Sequence, residues 1–495
     1  MLMSPSSHQR IETRLVYAHG LAALITLLIS VAFGVTASIE LLAPDLAAGH
    51  GAWLSWGRLR YDHTQGIMLG WLGNAFFAFL YHAVPLLTGR PVTSVRLGQW
   101  IFGLWNFAVV GAGWVLVLAG FSQPLEWAEF PLVIDAFVVL ALLLVGIQFL
   151  PPFFSRGLED LYVSSWYIIG ALIFTLLAYP MGNFVPELVP GARGAAFSGL
   201  WIHDSIGLFV TPLAVAILYF VIPAATRKPI FSHFLSMLGF WLLFFLYPLN
   251  GTHHYIFSVI PMSAQIGAIT ASTLLGVDVI INVANLLLSL RGSGWFPGSN
   301  TKARNGPSGL RAPDIGLRFV GTSAVLYLIV SLQGSVQAQM SVNRSVHFSD
   351  WVIGHSHLAM LGFASFAAAG GLIHAWQRIP WARYDATLLG WSYWLLLAGL
   401  TIMVLDLSAA GLVEAHFWQS TAPWIESVRA AKPYWLIRTL TFVPITAGFL
   451  ALLAGLLVGP RGGALKTIQG TIGLGPIREI APKLVSSSSS TAERA

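Results

Sequence analysis

Six histidines in this 495-residue chain, His63, His203, His253, His254, His355 and His357, are the side chains best suited to chemistry. If the apolar runs are threaded alternately up and down, all six fall at one membrane depth. Imidazole is costly in hydrocarbon without a partner, so such a cluster points to a buried metal centre. In GHSHLAM, a separation of two residues along a helix turns through about 200°, so His355 and His357 face opposite ways. One helix can then ligate two different cofactors, one on each flank. The plainer alternative is a pair of polar residues lining a cavity.

His63 follows GRLRYD at the start of the second apolar run and is a natural partner for one of those two imidazoles. Two axial histidines would make a six-coordinate haem suited to electron transfer. Arg60, close by, could pair with haem propionates. His253 and His254, in YPLNGTHHY, are adjacent imidazoles about 100° apart on a helix, and His203, in GLWIHDSIGLF, starts the preceding span at matching depth. Three neutral imidazoles without a thiolate or a nearby glutamate suit copper better than non-haem iron. Zinc would satisfy the same donors but cannot change oxidation state. Beside a five-coordinate haem on His355, the trio would form a binuclear pocket. Tyr247 lies six residues before His253, about 9 Å deeper, where a phenol could deliver a proton and an electron or simply pack. Position 207, one turn after His203, is glycine, so no acidic or phenolic group faces the cluster from there.

The elements that must position these residues are membrane helices. With 56% hydrophobic and 9% charged residues, the chain is too apolar for a soluble globule. The expected fold is all-α and integral to the membrane, with spans at roughly 15–42, 62–89, 96–121, 130–152, 161–185, 196–223, 231–256, 262–290, 315–341, 350–378, 385–413 and 434–459. A cytoplasmic N-terminus puts roughly nineteen of the Lys and Arg inside and about seven outside. The basic residues are confined to short loops and report topology, not nucleic-acid binding. No cysteine is present, which excludes disulfides, zinc thiolates, iron-sulfur clusters and covalently attached c-type haem. The first run is too long for a cleaved signal. The parse is a cytoplasmic segment 1–14, a catalytic domain 15–460 and a tail 461–495 with a disordered, Ser-rich end. Residues 291–313 read as a linker.

The chain resembles haem-copper oxidase subunit I, and within that family the cbb3-type cytochrome c oxidase catalytic subunit. The likeness runs from about residue 15 to 460. It rests on GRLRYDHT, on His203 followed by Thr211 and Tyr219, on Tyr247 with HH six later, on SVNRSVHFSDWVIGHSH and on PYWLIR. The resemblance implies two haems and one copper ion. His63 and His357 would be axial ligands of low-spin haem b, His355 the ligand of the high-spin haem, and His203, His253 and His254 the copper ligands. Tyr247 would be the catalytic tyrosine, which this family joins covalently to a copper-ligating histidine, here His203. Arg60, His347 and Arg438 match positions near haem propionates, and Tyr219 and Ser236 belong to a proton route from the cytoplasm.

The implied activity is reduction of dioxygen to water in a bacterial inner membrane, with electrons from a partner subunit carrying c-type haem or from a cupredoxin-like donor. Departures from the pattern are Gln333, where the family has a glutamate, and Met340 near the place of a usual lysine. Asp204 and Asp278 are additional buried acids, the latter a candidate on the proton path beside Gln333. The alternative on the same scaffold is nitric oxide reductase, with non-haem iron replacing copper. Its iron prefers a carboxylate, supplied at the place of Gly207. A secondary transporter would show inverted repeats and interrupted helices, and no convincing repeat is present.

Overall fold

The structure is a computed structural model that describes residues 11–47, 49–295 and 314–460. Among the described residues, twelve helices are long and apolar enough to cross a membrane. They are α1 (Thr13–Leu42), α2 (Trp56–Thr88), α3 (Val95–Ala119), α4 (Leu132–Phe154), α5 (Val163–Leu188), α6 (Ala192–Thr226), α7 (His233–Tyr255), α8 (Met262–Ser289), α9 (Gly316–Gln337), α10 (Asp350–Trp376), α11 (Ala386–Trp418) and α12 (Trp424–Leu457). The protein is a multi-pass membrane protein, with every expected span present. Several ends differ, because hydropathy does not register a polar helical turn. GRLRYD continues α2 outward to Trp56, and α12 starts at Trp424 and runs through Pro433. The ninth span stops at Gln337, and a short helix, Met340–Val346, follows it. The expected tail 461–495, most of the linker and the first ten residues lie outside the described residues.

Three helices form the centre. The most apolar windows of α2, α6 and α10 are 94%, 94% and 83% buried, against 39–56% for the other nine, whose remaining surface suits lipid. These three carry His63, His203, His355 and His357. Close approach of α1 and α2 depends on Gly66, where a Cβ would overlap the Ser30 hydroxyl.

Each central helix widens just inward of its histidine. π-Helical turns occupy Gly66–Gly73 in α2, Ser205–Val210 in α6 and Leu358–Ala364 in α10. The wider turn shifts the helical register, so residues outward of it present a different face from the one α-helical spacing gives; such turns recur at functional sites. Substituting Gly66→Val should cost about 1–3 kcal/mol by overpacking α1 against α2. A lowered thermal unfolding midpoint of the detergent-solubilised protein would register it.

Candidate metal centre

Three histidines converge between the ends of α6 and α7. Ligand atoms of His203, His253 and His254 all lie within 4.8 Å of one another. His203 Nδ1 stands 3.2 Å from His254 Nε2, and the His203 and His253 rings meet edge to face at 4.4 Å. Metal–imidazole bonds of about 2 Å put two ligand nitrogens roughly 3–4 Å apart on one ion, so this spacing fits a single metal. One expectation changes here. His253 and His254 do not sit on an α-helix but on a 3₁₀ turn, Gly251–Tyr255. The turn tightens where Gly251 packs onto the α6 backbone at Leu200, and it brings both rings toward His203.

Hydrogen bonds fix which nitrogen each ring presents. Ser272 on α8 donates its only hydroxyl proton to Ala268 O, so its oxygen must accept from His253 Nδ1 at 2.7 Å. The Nε2 lone pair of His253 is then left for a metal. The buried Asn250 Nδ2 donates to His203 Nε2 at 3.0 Å, which places the ring proton on Nδ1, toward His254 Nε2. His355 turns to the other side of α10 from His357. Its Nδ1 pairs with Gln333 Oε1 at 3.1 Å, and the ring lies within electrostatic range of the whole trio.

A second pair faces across α2 and α10. The rings of His63 and His357 are 6.4 Å apart between centroids and 26° from parallel. Each anchors Nδ1 on a backbone carbonyl, His63 on Ser30 O at 2.7 Å and His357 on Ile353 O at 2.8 Å. Both Nε2 atoms are left free.

Tyr247 stacks beside His203, with centroids 4.8 Å apart, and Thr211 lies near its hydroxyl. Its ring rests on the α6 backbone at Gly207, where a Cβ would overlap it. Asp204 is buried nearby with Oδ1 lacking a protein partner.

Toward the end of the bundle bearing the histidines, Arg60 forms an ion pair with Glu129, and its guanidinium lies over Trp56. Burial pushes the Glu129 carboxyl up to about 7 against the pull of Arg60. Arg438 Nη1 stands 3.6 Å from Asp350 Oδ1, while Arg438 Nη2 is buried without a protein partner. His347 stacks on Phe348 and is half-buried near His253 and His254, and burial lowers its pKa.

A polar line leads from the opposite end. The Asn285 amide donates to Ser232 O and to Tyr219 Oη, Tyr219 Oη donates to Asn282 Oδ1 at 2.9 Å, and Asn282 Nδ2 donates to Asp278 Oδ1 at 2.9 Å. Asp278 Oδ2 is buried without a partner. Of the expected proton-path residues, Tyr219 and Asp278 lie on this line. Ser236 instead bonds His233 O within its own helix, and Gln333 orients His355. Asn282 and Asn285 were missed by the sequence reading, although Asp278, Asn282, Asn285 and Ser289 recur at helical spacing on one face. Ser272, Asn250 and Glu129 carried no pattern that singled them out.

Residues 14–443 match the family of cytochrome c and quinol oxidase polypeptide I. The chain belongs to that family. Its members are membrane oxidoreductases of respiratory electron transport that bind haem and copper. Among relatives, the chain is 28% identical over 411 residues to a cytochrome c oxidase subunit 1 homologue of Bradyrhizobium diazoefficiens, covering 78% of this chain and 71% of that one. It is 26% identical over 418 residues to the cbb3-type cytochrome c oxidase subunit CcoN1 of Stutzerimonas stutzeri, covering 81% and 85%. A solved haem-copper terminal oxidase dimer has the same fold, with a TM-score of 0.74 at 14% identity over 91% of this chain and 84% of that one.

The residues present fit the family's groups. For two axial imidazoles, two metal–nitrogen bonds of about 2 Å plus about 1 Å from each nitrogen to its ring centre give about 6 Å between centroids. The His63–His357 separation of 6.4 Å matches, with both free nitrogens available. The unpartnered Arg438 Nη2 suits a haem carboxylate. In this oxidase-family chain, Ser272→Ala should release the His253 tautomer and weaken metal binding by the trio by about 10–100-fold. Metal titration followed by elemental analysis would measure it.

Proposed function

We propose that this chain is the catalytic subunit of a terminal respiratory oxidase that reduces dioxygen to water. His63 and His357 would hold low-spin haem b, His355 the high-spin haem, and His203, His253 and His254 copper. When bound, these groups supply electrons to dioxygen. The single observation that carries the reading is Tyr247 lying against the His203 ring over Gly207.

That contact bears on the choice of gas. A nitric oxide reductase of this family would place a glutamate at position 207 to complete a non-haem iron site. Here the phenol ring fills that space, and the donors left are three imidazoles, a set that favours copper.

Tyr247 Oη would give a proton, and its ring an electron, to the oxygen chemistry beside it. Replacement protons would come along the Asn285–Tyr219–Asn282–Asp278 line. α8 carries it: Asp278 is six residues, about 9 Å along the axis, from Ser272 beside the trio, and Ser289 marks the other end of the helix. Consumption of protons from the cytoplasmic side would couple the reaction to charge separation across a bacterial inner membrane. Arg60, Arg438 and His347 would neutralise haem propionates near the opposite face. Electrons would enter there from a c-type cytochrome or cupredoxin-like partner.

The purified complex should contain two b-type haems and about one copper per chain, and turn over dioxygen much faster than nitric oxide. A third iron in place of copper, with preference for nitric oxide, would sink the reading. Tyr247→Phe should cut oxygen turnover at least ~100-fold while leaving the reduced-minus-oxidised haem bands in place. Asp278→Asn should slow turnover about tenfold with the same bands retained.

A further inference from the structure

The segment between α3 and α4 folds back over the histidine-bearing end of the bundle, and one carbonyl in it is shared by two helices. Gln65 Nε2 on α2 and Trp201 Nε1 on α6 both donate to Trp127 O, each at 3.2 Å. Gln65 lies two residues after His63, and Trp201 two residues before His203. Both donors are almost wholly buried, at 3% and 2% exposed, so neither bond is exchanged freely for water. Trp127 itself has φ +65°, a region costly for a bulky side chain. Strain of that kind persists only where surrounding contacts impose it.

Those contacts are numerous. Glu129 pairs with Arg60, Phe130 N donates to Tyr61 Oη at 3.0 Å, and Gln123 Nε2 bonds Phe130 O and the Asp135 carboxylate. Asp135 accepts from Tyr179 Oη at 2.7 Å, and the Tyr179 ring packs edge-on against Trp201. The segment thus grips α2 through Arg60, Tyr61 and Gln65, and α6 through Trp201. Elsewhere the corresponding turns of the two helices have different neighbours. Those of α2 pack chiefly on α1 and α3, those of α6 on α5 and α7.

We propose that Trp127 is a positioning residue whose carbonyl ties the His63-bearing turn of α2 to the His203-bearing turn of α6 and so sets the spacing between the two redox sites. This rests on the function proposed above. α10 would ligate both haems, but the low-spin site takes its second ligand from α2 and the binuclear site takes His203 from α6, so a shift between those two turns displaces the sites relative to one another and costs rate.

The test uses the whole complex with its natural partners. Trp201→Phe removes the indole N–H and keeps an aromatic ring, and Gln65→Met removes the other donor at similar volume. Trp114→Phe is the control, because Trp114 Nε1 donates to Asp62 O at 3.0 Å and links α3 to α2 without involving α6. Transient absorption would follow electron transfer between the low-spin and high-spin haems. Trp201→Phe and Gln65→Met should each slow that step about tenfold, and Trp201→Phe should also shift the low-spin haem band although it lies on the copper-bearing helix. Trp114→Phe should stay within about twofold of the parent. The proposal is overturned if both donor variants stay within about twofold, or slow the step no more than the control does. A parent complex lacking b-type haem bands would defeat the functional reading instead, so the two failures are separable.

Discussion

A buried imidazole offers a lone pair to a metal from one nitrogen when the other carries the ring proton, and four of the six histidines have that proton held by an acceptor on Nδ1. His63 is held by Ser30 O from α1, His253 by Ser272 from α8 and His355 by Gln333 from α9, while Asn250 of α7 donates to His203 Nε2. His357 is the exception, fixed by Ile353 O of its own helix. Three neighbouring helices, α1, α7 and α9, therefore lie within hydrogen-bond distance of the three central ones, and α8 within that of the turn carrying His253. The glycines at 66, 207 and 334 are where the chain lets them come that close.

The central helices also give up regular α geometry beside their histidines. A π-helical turn follows each histidine-bearing segment of α2, α6 and α10, and a 3₁₀ turn carries His253 and His254. Such turns have weaker hydrogen-bond geometry than the α-helix and are tolerated in a membrane only because the surrounding protein excludes lipid. Their burial in the middle of the bundle is consistent with that.

The polar line on α8 shows how one helix serves two ends of the fold. Ser272 orients a histidine of the trio, while Asp278, Asn282 and Asn285 continue along the same helix toward the other face. Asp278 keeps one carboxylate oxygen without a partner in an otherwise satisfied network. That oxygen lies among polar groups beside Tyr219 and near Tyr247, where burying a carboxylate is costly.

The sequence alone determined the twelve spans and the opposed directions of His355 and His357. These follow from composition, segment length and helical angle, which are local properties. It could not show that Gln333 would meet His355, or that Ser236 would bond His233 O of its own helix. Nor could it show that Asn282 and Asn285 would join Tyr219, or that Trp127 would span two helices. Each of these depends on which side chains from distant segments come within about 3 Å, and that is set by helix packing and by the irregular turns, which no local pattern encodes. Gly207 sits between the two cases. The residue was legible as an absence of acid, but only the fold revealed that its missing side chain makes room for Tyr247.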